Sequence, residues 1–181
     1  MENRGVDAIE AQVRDAITAG VSVARSEKRG NKGWTAAIKK ELVLAGHKLG
    51  FRVGASGVDP VDDPPADDGE WLWDLNWTQE KQEAEGRNLV DVPLVVESEW
   101  NPNFREELVP DFQKLMVARA WLRVMIIEVL NRSEAEAKFN KFIALISKFA
   151  PTQAGDRYLF AAFIHDPAVL KVDFRSYVAP L

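Results

Sequence analysis

The run Leu122-Arg123-Val124-Met125-Ile126-Ile127-Glu128-Val129-Leu130 constrains the fold most. It is apolar and rich in strand formers, which makes it the best buried-strand candidate in the chain. Upstream, Asp111 follows Pro110 and opens a helix with Phe112, Leu115, Met116 and Ala120 on one side. Downstream, Ser133-Glu134-Ala135-Glu136 has the spacing of a capping box. Behind it Phe139, Phe142, Ile143, Ile146 and Phe149 form a helical stripe, closed by Pro151. Tyr158 to Ile164 is another buried strand, and Lys171 to Val178 is placed to pair with it across His165-Asp166-Pro167.

The first half opens with Val6, Ile9, Val13, Ile17 and Val21 at helical spacing, which predicts an amphipathic helix over residues 5–26. A basic, glycine-broken linker runs from Arg25 to Gly33. Trp34, Ile38, Leu42, Ala45 and Leu49 mark a second helix, ended by Gly50. Phe51-Arg52-Val53 is a short strand. The acidic stretch Gly54 to Gly69 carries Pro60, Pro64 and Pro65, which forbid a sheet interior. Glu70 to Trp77 alternates as a strand, with Trp71, Trp73 and Trp77 on one face, expected to pack under a helix. Thr78 to Asn88 is a polar connection, and Leu89 to Trp100 is the next strand, broken by Asn101-Pro102-Asn103. The order is helix, helix, three strands, helix, strand, helix, then one or two strands. It predicts an α/β chain (α+β mixed sheet) flanked by helices.

A length of 181 residues suits a single domain with a real core. No apolar stretch is long enough to span a bilayer, and Met1-Glu2-Asn3-Arg4 leads into a polar helix without a signal-peptide core. The absence of cysteine excludes disulfides and thiolate metal sites and fits a cytoplasmic protein. With two histidines, zinc is disfavoured, so any metal is oxygen-bound: Mg²⁺ or Mn²⁺. The net charge of −5 argues against a nucleic-acid partner, but the charge is uneven. Arg25, Lys28, Arg29, Lys32, Lys39 and Lys40 belong to a basic segment that reaches Arg52. Asp59, Asp62, Asp63, Asp67, Asp68 and Glu70 follow with no basic residue among them. The basic segment could meet a phosphate backbone; two solvated surface patches are the bland alternative.

Glu97-Ser98-Glu99 closes the apolar run Val92-Pro93-Leu94-Val95-Val96. On a strand, Glu97 and Glu99 share a face about 7 Å apart, from a rise of ~3.4 Å per residue. Asp74 ends its own apolar segment on the preceding strand. Three such carboxylates suit a hard divalent cation; otherwise they simply face water. Glu41 falls in the apolar stripe of the second helix, where a carboxylate needs a partner or an edge that reaches solvent. Lys114, in the first turn of the helix after the acidic strand, could reach back to Glu97 and Glu99, or pair on the surface with Asp111 or Glu107. Gln113 is a weaker candidate in the same region. His165-Asp166 suits a turn better than a general base, and Gly54-Ala55-Ser56-Gly57 lacks the lysine and spacing of a phosphate loop.

A helix with an inward Glu, strands carrying Asp and then Glu-x-Glu, a helix and a hydrophobic strand together resemble the PD-(D/E)xK nuclease superfamily. This resemblance implies a restriction-endonuclease-like αβββαβ core over residues 34–130. Residues 1–33 add an N-terminal helix and basic linker, and residues 131–181 a C-terminal helix–strand extension. By resemblance, Asp74 and Glu97 match the metal-binding acids and Glu41 the acid of the first core helix. Glu99 stands where lysine is usual. It would be a second metal ligand or mark a site altered away from catalysis. Members that move the lysine into the following helix make Lys114 the matching cation. The implied activity is Mg²⁺- or Mn²⁺-dependent phosphodiester hydrolysis of nucleic acid, with DNA the expected substrate. Cutting both strands would take a homodimer or two visits. A catalytically inactive binding or interaction module of the same fold is the alternative.

Overall fold

The computed structural model describes residues 4–27, 30–58, 65–69, 71–100, 108–164 and 172–180, the side chains of Arg4 and Asn31 excepted. Lys28, Arg29, Asn101-Pro102-Asn103, Glu107, His165-Asp166-Pro167, Glu70 and the acidic stretch 59–64 lie outside the described residues. The elements are α1 (Arg4–Ser26), α2 (Asn31–Lys48), β1 (Arg52–Ala55), β2 (Leu75–Glu83), β3 (Gly86–Glu99), α3 (Leu108–Val117), β4 (Leu122–Val129), α4 (Arg132–Lys148), β5 (Arg157–Ile164) and β6 (Val172–Val178). The protein is thus mixed α/β, with strand order β1-β2-β3-β4-β5-β6. Its contacts divide it into two compact units, Met1–Val95 and Val96–Leu181, the boundary falling within β3.

In the first unit the predicted stripe of α1 is buried at Ile9, Val13, Ile17 and Val21. It packs on α2, and the contact is close because Gly20 has no side chain. A Cβ there would lie 2.6 Å from the Ile38 Cα. Gly46 allows α2 the same approach to the strands, since a Cβ would lie 2.6 Å from Val53 Cγ2 and 2.7 Å from Trp77 Nε1. Trp77 is fully buried, stacks on Phe51 and donates its indole N–H to the Leu42 carbonyl at 3.2 Å. β1 and β2 pair antiparallel, from Arg52 opposite Thr78 to Ala55 opposite Leu75.

Two expectations need correction here. β2 begins at Leu75, so Trp71 and Trp73 precede it; Trp71 is exposed and Trp73 half-buried. The three tryptophans therefore do not pack together under a helix. β2 also continues to Glu83 through residues expected to form a polar connection, and a two-residue turn at Ala84-Glu85 leads into β3. The outer part of this ribbon is exposed, so main-chain pairing holds it with no core face to impose apolar alternation.

In the second unit β4 and β5 are parallel, joined by the α4 crossover, and β6 returns antiparallel to β5 as its sequence suggests. β4 is buried along nearly its whole length. Phe112 of α3 stacks on Phe142 of α4 with ring centroids 4.3 Å apart, and Phe160 of β5 packs against Phe139 and Phe142. α3 starts at Leu108, three residues before the expected Asp111, and takes Pro110 into its first turn, where a missing N–H costs nothing. α4 is capped by Asn131, not Ser133. The Asn131 Oδ1 accepts from the Glu134 N–H at 2.9 Å, while Glu134 Oε2 accepts from the Leu130 N–H at 2.9 Å. No helix among the described residues is long and apolar enough to cross a membrane.

Candidate active site

Two acid–ammonium clusters stand out, one in each unit. That of the second unit is built where β3 ends. The apolar run is buried on both faces: Leu94, Val95 and Val96 have 2% exposure or less. That packed environment extends to Glu97, whose side chain is 3% exposed. Glu97 therefore does not simply face water at a strand end. Ser98 and Glu99 are half-buried.

A carboxylate so placed needs compensation, and α3 delivers it. Leu108, Phe112 and Leu115 face the core and orient the helix. Lys114 extends from its flank with the Nζ 3.2 Å from Glu97 Oε1 and 3.0 Å from Asp111 Oδ1. The two sequence alternatives for Lys114, reaching back to Glu97 and pairing with Asp111, are realised together. Because α3 starts early, Lys114 lies in its last turn rather than its first. Burial works against the ammonium, but the hydrogen bond to Asp111 and the charge of Glu97 outweigh it and hold the lysine above its ordinary range. Gln113, one residue away, is exposed.

The cluster of the first unit is built around Lys39. Lys39, grouped by sequence with phosphate-facing cations, is buried at 6% exposure. Its Nζ lies 3.1 Å from the Ser56 carbonyl oxygen, 3.5 Å from Ser56 Oγ and 3.3 Å from Asp74 Oδ1. Ser56 and Asp74 are the next pair outward on the β1–β2 register, so α2, the end of β1 and the start of β2 converge on this ammonium. Asp74 immediately precedes β2 rather than ending a strand. Lys39 follows Ile38 and precedes Leu42 by three positions, which puts its stem on the sheet-facing flank of α2. A lysine within that apolar stripe was the available sequence signal.

Glu41 was expected to approach the acids from the helix side. It stands two residues from Lys39, about 200° around the helix axis. It is half-buried and lines a groove of about 240 Å³ between α1 and α2, together with Gln12, Asp15 and Lys48. Among the candidate phosphate contacts, Arg25 and Lys32 are exposed and Lys40 is half-buried.

Among the described residues, Asp67 and Asp68 of the acidic stretch meet Arg52 and His47. Asp68 pairs with Arg52 at 2.6 Å, and Glu80 approaches the same guanidinium at 3.2 Å. Asp67 Oδ2 accepts from the Val53 N–H at 2.8 Å and lies 2.8 Å from His47 Nε2. Burial raises the Asp67 carboxyl, but the Val53 N–H and His47 overcome that and lower it below its ordinary value. Distant in sequence from Arg52 and His47, these aspartates meet them because residues 67 and 68 hydrogen-bond along β1.

Among the described residues, no group of three or more histidines, aspartates and glutamates is arranged to hold a metal ion. Magnesium and manganese, however, take one or two carboxylates and keep several waters. Each unit offers hard oxygen donors of the kind a hydrated cation takes: Asp74 in the first, Glu97 and Glu99 in the second. Comparison with protein-family models, curated proteins and solved structures finds no match.

Proposed function

We propose that this chain is a divalent-metal-dependent phosphodiesterase acting on nucleic acid, with DNA as the expected substrate and a restriction-endonuclease-like core over residues 34–130. The element order α2-β1-β2-β3-α3-β4 supports the αβββαβ reading. The observation that carries the function is the buried Glu97 carboxylate at the end of β3, held 3.2 Å from an ammonium on the following helix. A carboxylate and an ammonium in contact at a strand end are the acid and the charge-stabilising cation that phosphoryl transfer needs.

On this reading Glu97 and Glu99 are metal ligands, and the resemblance adds Asp74. A bound Mg²⁺ or Mn²⁺ would acidify a coordinated water and stabilise charge on the phosphoryl group. Lys114 orients the attacking water or neutralises charge on the phosphorane. Asp111 holds Lys114 in place through its 3.0 Å contact. Arg25, Lys32 and Lys40 meet the phosphate backbone. A cytoplasmic setting accompanies this function, and a homodimer would allow both strands to be cut.

The test is Mg²⁺-dependent cleavage of DNA and RNA by wild type, Asp74→Ala and Glu97→Ala, with folding checked by circular dichroism. Both variants are expected to stay folded and lose cleavage; full cleavage by both refutes the assignment. The ion pairs also favour a second reading, because they compensate Asp74 and Glu97 without any metal. That reading is a non-catalytic binding or interaction module, and the absence of Mn²⁺ binding in titration would select it.

A further inference from the structure

We propose that Lys39 is a positioning residue for Asp74, gripping one carboxylate oxygen so that the group faces outward toward a divalent cation; this rests on Asp74 being a metal ligand. The pair is asymmetric. The Lys39 side chain is 8% exposed and that of Asp74 27%, so the cation is buried and the anion is the accessible partner. Lysine is almost never buried to this degree unless paired, and removing it from water is costly. The Ser56 carbonyl, 3.1 Å from the Nζ, fixes the ammonium from the β1 side. It cannot follow a mobile carboxylate; instead the carboxylate is anchored through Oδ1, 3.3 Å away.

Asp74 stands in a bend just before β2. The buried ammonium of α2 gives its carboxylate an anchor outside its own strand. Positioning groups behind metal ligands typically change metal affinity by about 10–100-fold when removed. Lys39 therefore acts through Asp74 and does not touch the phosphate backbone.

The experiment is a Mn²⁺ titration of the full chain by calorimetry, alongside NMR of the Lys39 side-chain signal. Wild type is expected to bind Mn²⁺ and to show paramagnetic broadening of Lys39. Asp74→Asn should lose binding. Lys39→Met should weaken it at least about tenfold, and Lys39→Arg, which keeps a charged donor, should restore part of the loss. If Lys39→Met binds as tightly as wild type, or more tightly, the positioning role is overturned while the metal site stands. If Lys39→Met does not fold, Lys39→Gln and the broadening measured on the unmutated chain decide. Unbroadened Lys39 at saturating Mn²⁺ overturns the proposal. Wild type that binds no Mn²⁺ overturns the metal reading and this inference with it.

Discussion

Replacing Lys114 by methionine keeps the aliphatic stem against α3 and removes only the ammonium, so it isolates the charge that compensates Glu97. At the observed 3.2 Å separation, an effective dielectric of ~20 gives roughly 5 kcal/mol of attraction. That is an upper bound, because the Lys114 side chain is 36% exposed and water screens its outer face. The carboxylate is 3% exposed and cannot recover its hydration when the lysine is gone. Loss of one partner of a buried charged contact costs about 1–3 kcal/mol, and the contact with Asp111 adds only about 0.3 kcal/mol as an i,i+3 pair. We expect Lys114→Met to lower unfolding free energy by about 2 kcal/mol at neutral pH. Glu97→Gln should cost less, since it removes the buried charge itself. The double variant should be more stable than the sum of the two losses by at least about 1 kcal/mol. The contribution of Lys114 also has a defined pH dependence. Its folded value is raised above the ordinary 10.5, so its stabilisation is full below that value and disappears as pH rises through the raised one. Urea unfolding of the four proteins at neutral and strongly alkaline pH measures all of this. A Lys114→Met variant within about 0.5 kcal/mol of wild type, with additive double-variant behaviour, would refute the claim that Glu97 depends on this cation.

Other outcomes follow from the same structure. The Asp67 carboxyl is held below its ordinary 3.8, so it stabilises the fold at neutral pH and that contribution is lost as pH falls through the lowered value; Asp67→Asn should be less stable than wild type at pH 7, and urea unfolding should show the gap closing in strong acid. Gly46→Ala drives a methyl into Val53 and Trp77 and should cost about 1–3 kcal/mol, with the buried Trp77 fluorescence reporting the change in packing. Asn131→Ala removes the α4 cap and should cost about 1 kcal/mol, measured by thermal unfolding; Ser133→Ala, at the position the capping-box spacing favoured, should cost less.

Element identity was largely legible because helices and buried strands carry their environment as periodicity. α1 and the stripe of α4 follow their apolar spacing, and β4 and β5 follow their continuous apolar runs. Legibility failed where burial does not determine local form. The outer part of β2 is a solvated ribbon, and its polar residues look like a loop although they pair as strand. The start of α3 was missed because Pro110 reads as a breaker before a helix, while a first turn tolerates it. The cap of α4 moved upstream because Asn131 and Ser133 are both capable caps, and only backbone geometry chooses between them.

For the candidate site, the sequence alone singled out Glu97 and Asp74 as acids at the margins of apolar runs and offered Lys114 as a cation one element away. It also excluded thiolate metal ligands, since no cysteine is present. Tertiary structure alone decided which charges meet. It buried Glu97 against Lys114, set Lys39 beside Asp74, turned Glu41 toward α1, and laid Asp67 and Asp68 on His47 and Arg52. The physical reason is that apolar periodicity is local, written within a few turns or residues of one element. These ion pairs join side chains 17 and 35 residues apart, Lys114–Glu97 and Lys39–Asp74, and exist only once packing has brought their elements together and excluded the water that would otherwise solvate each charge alone.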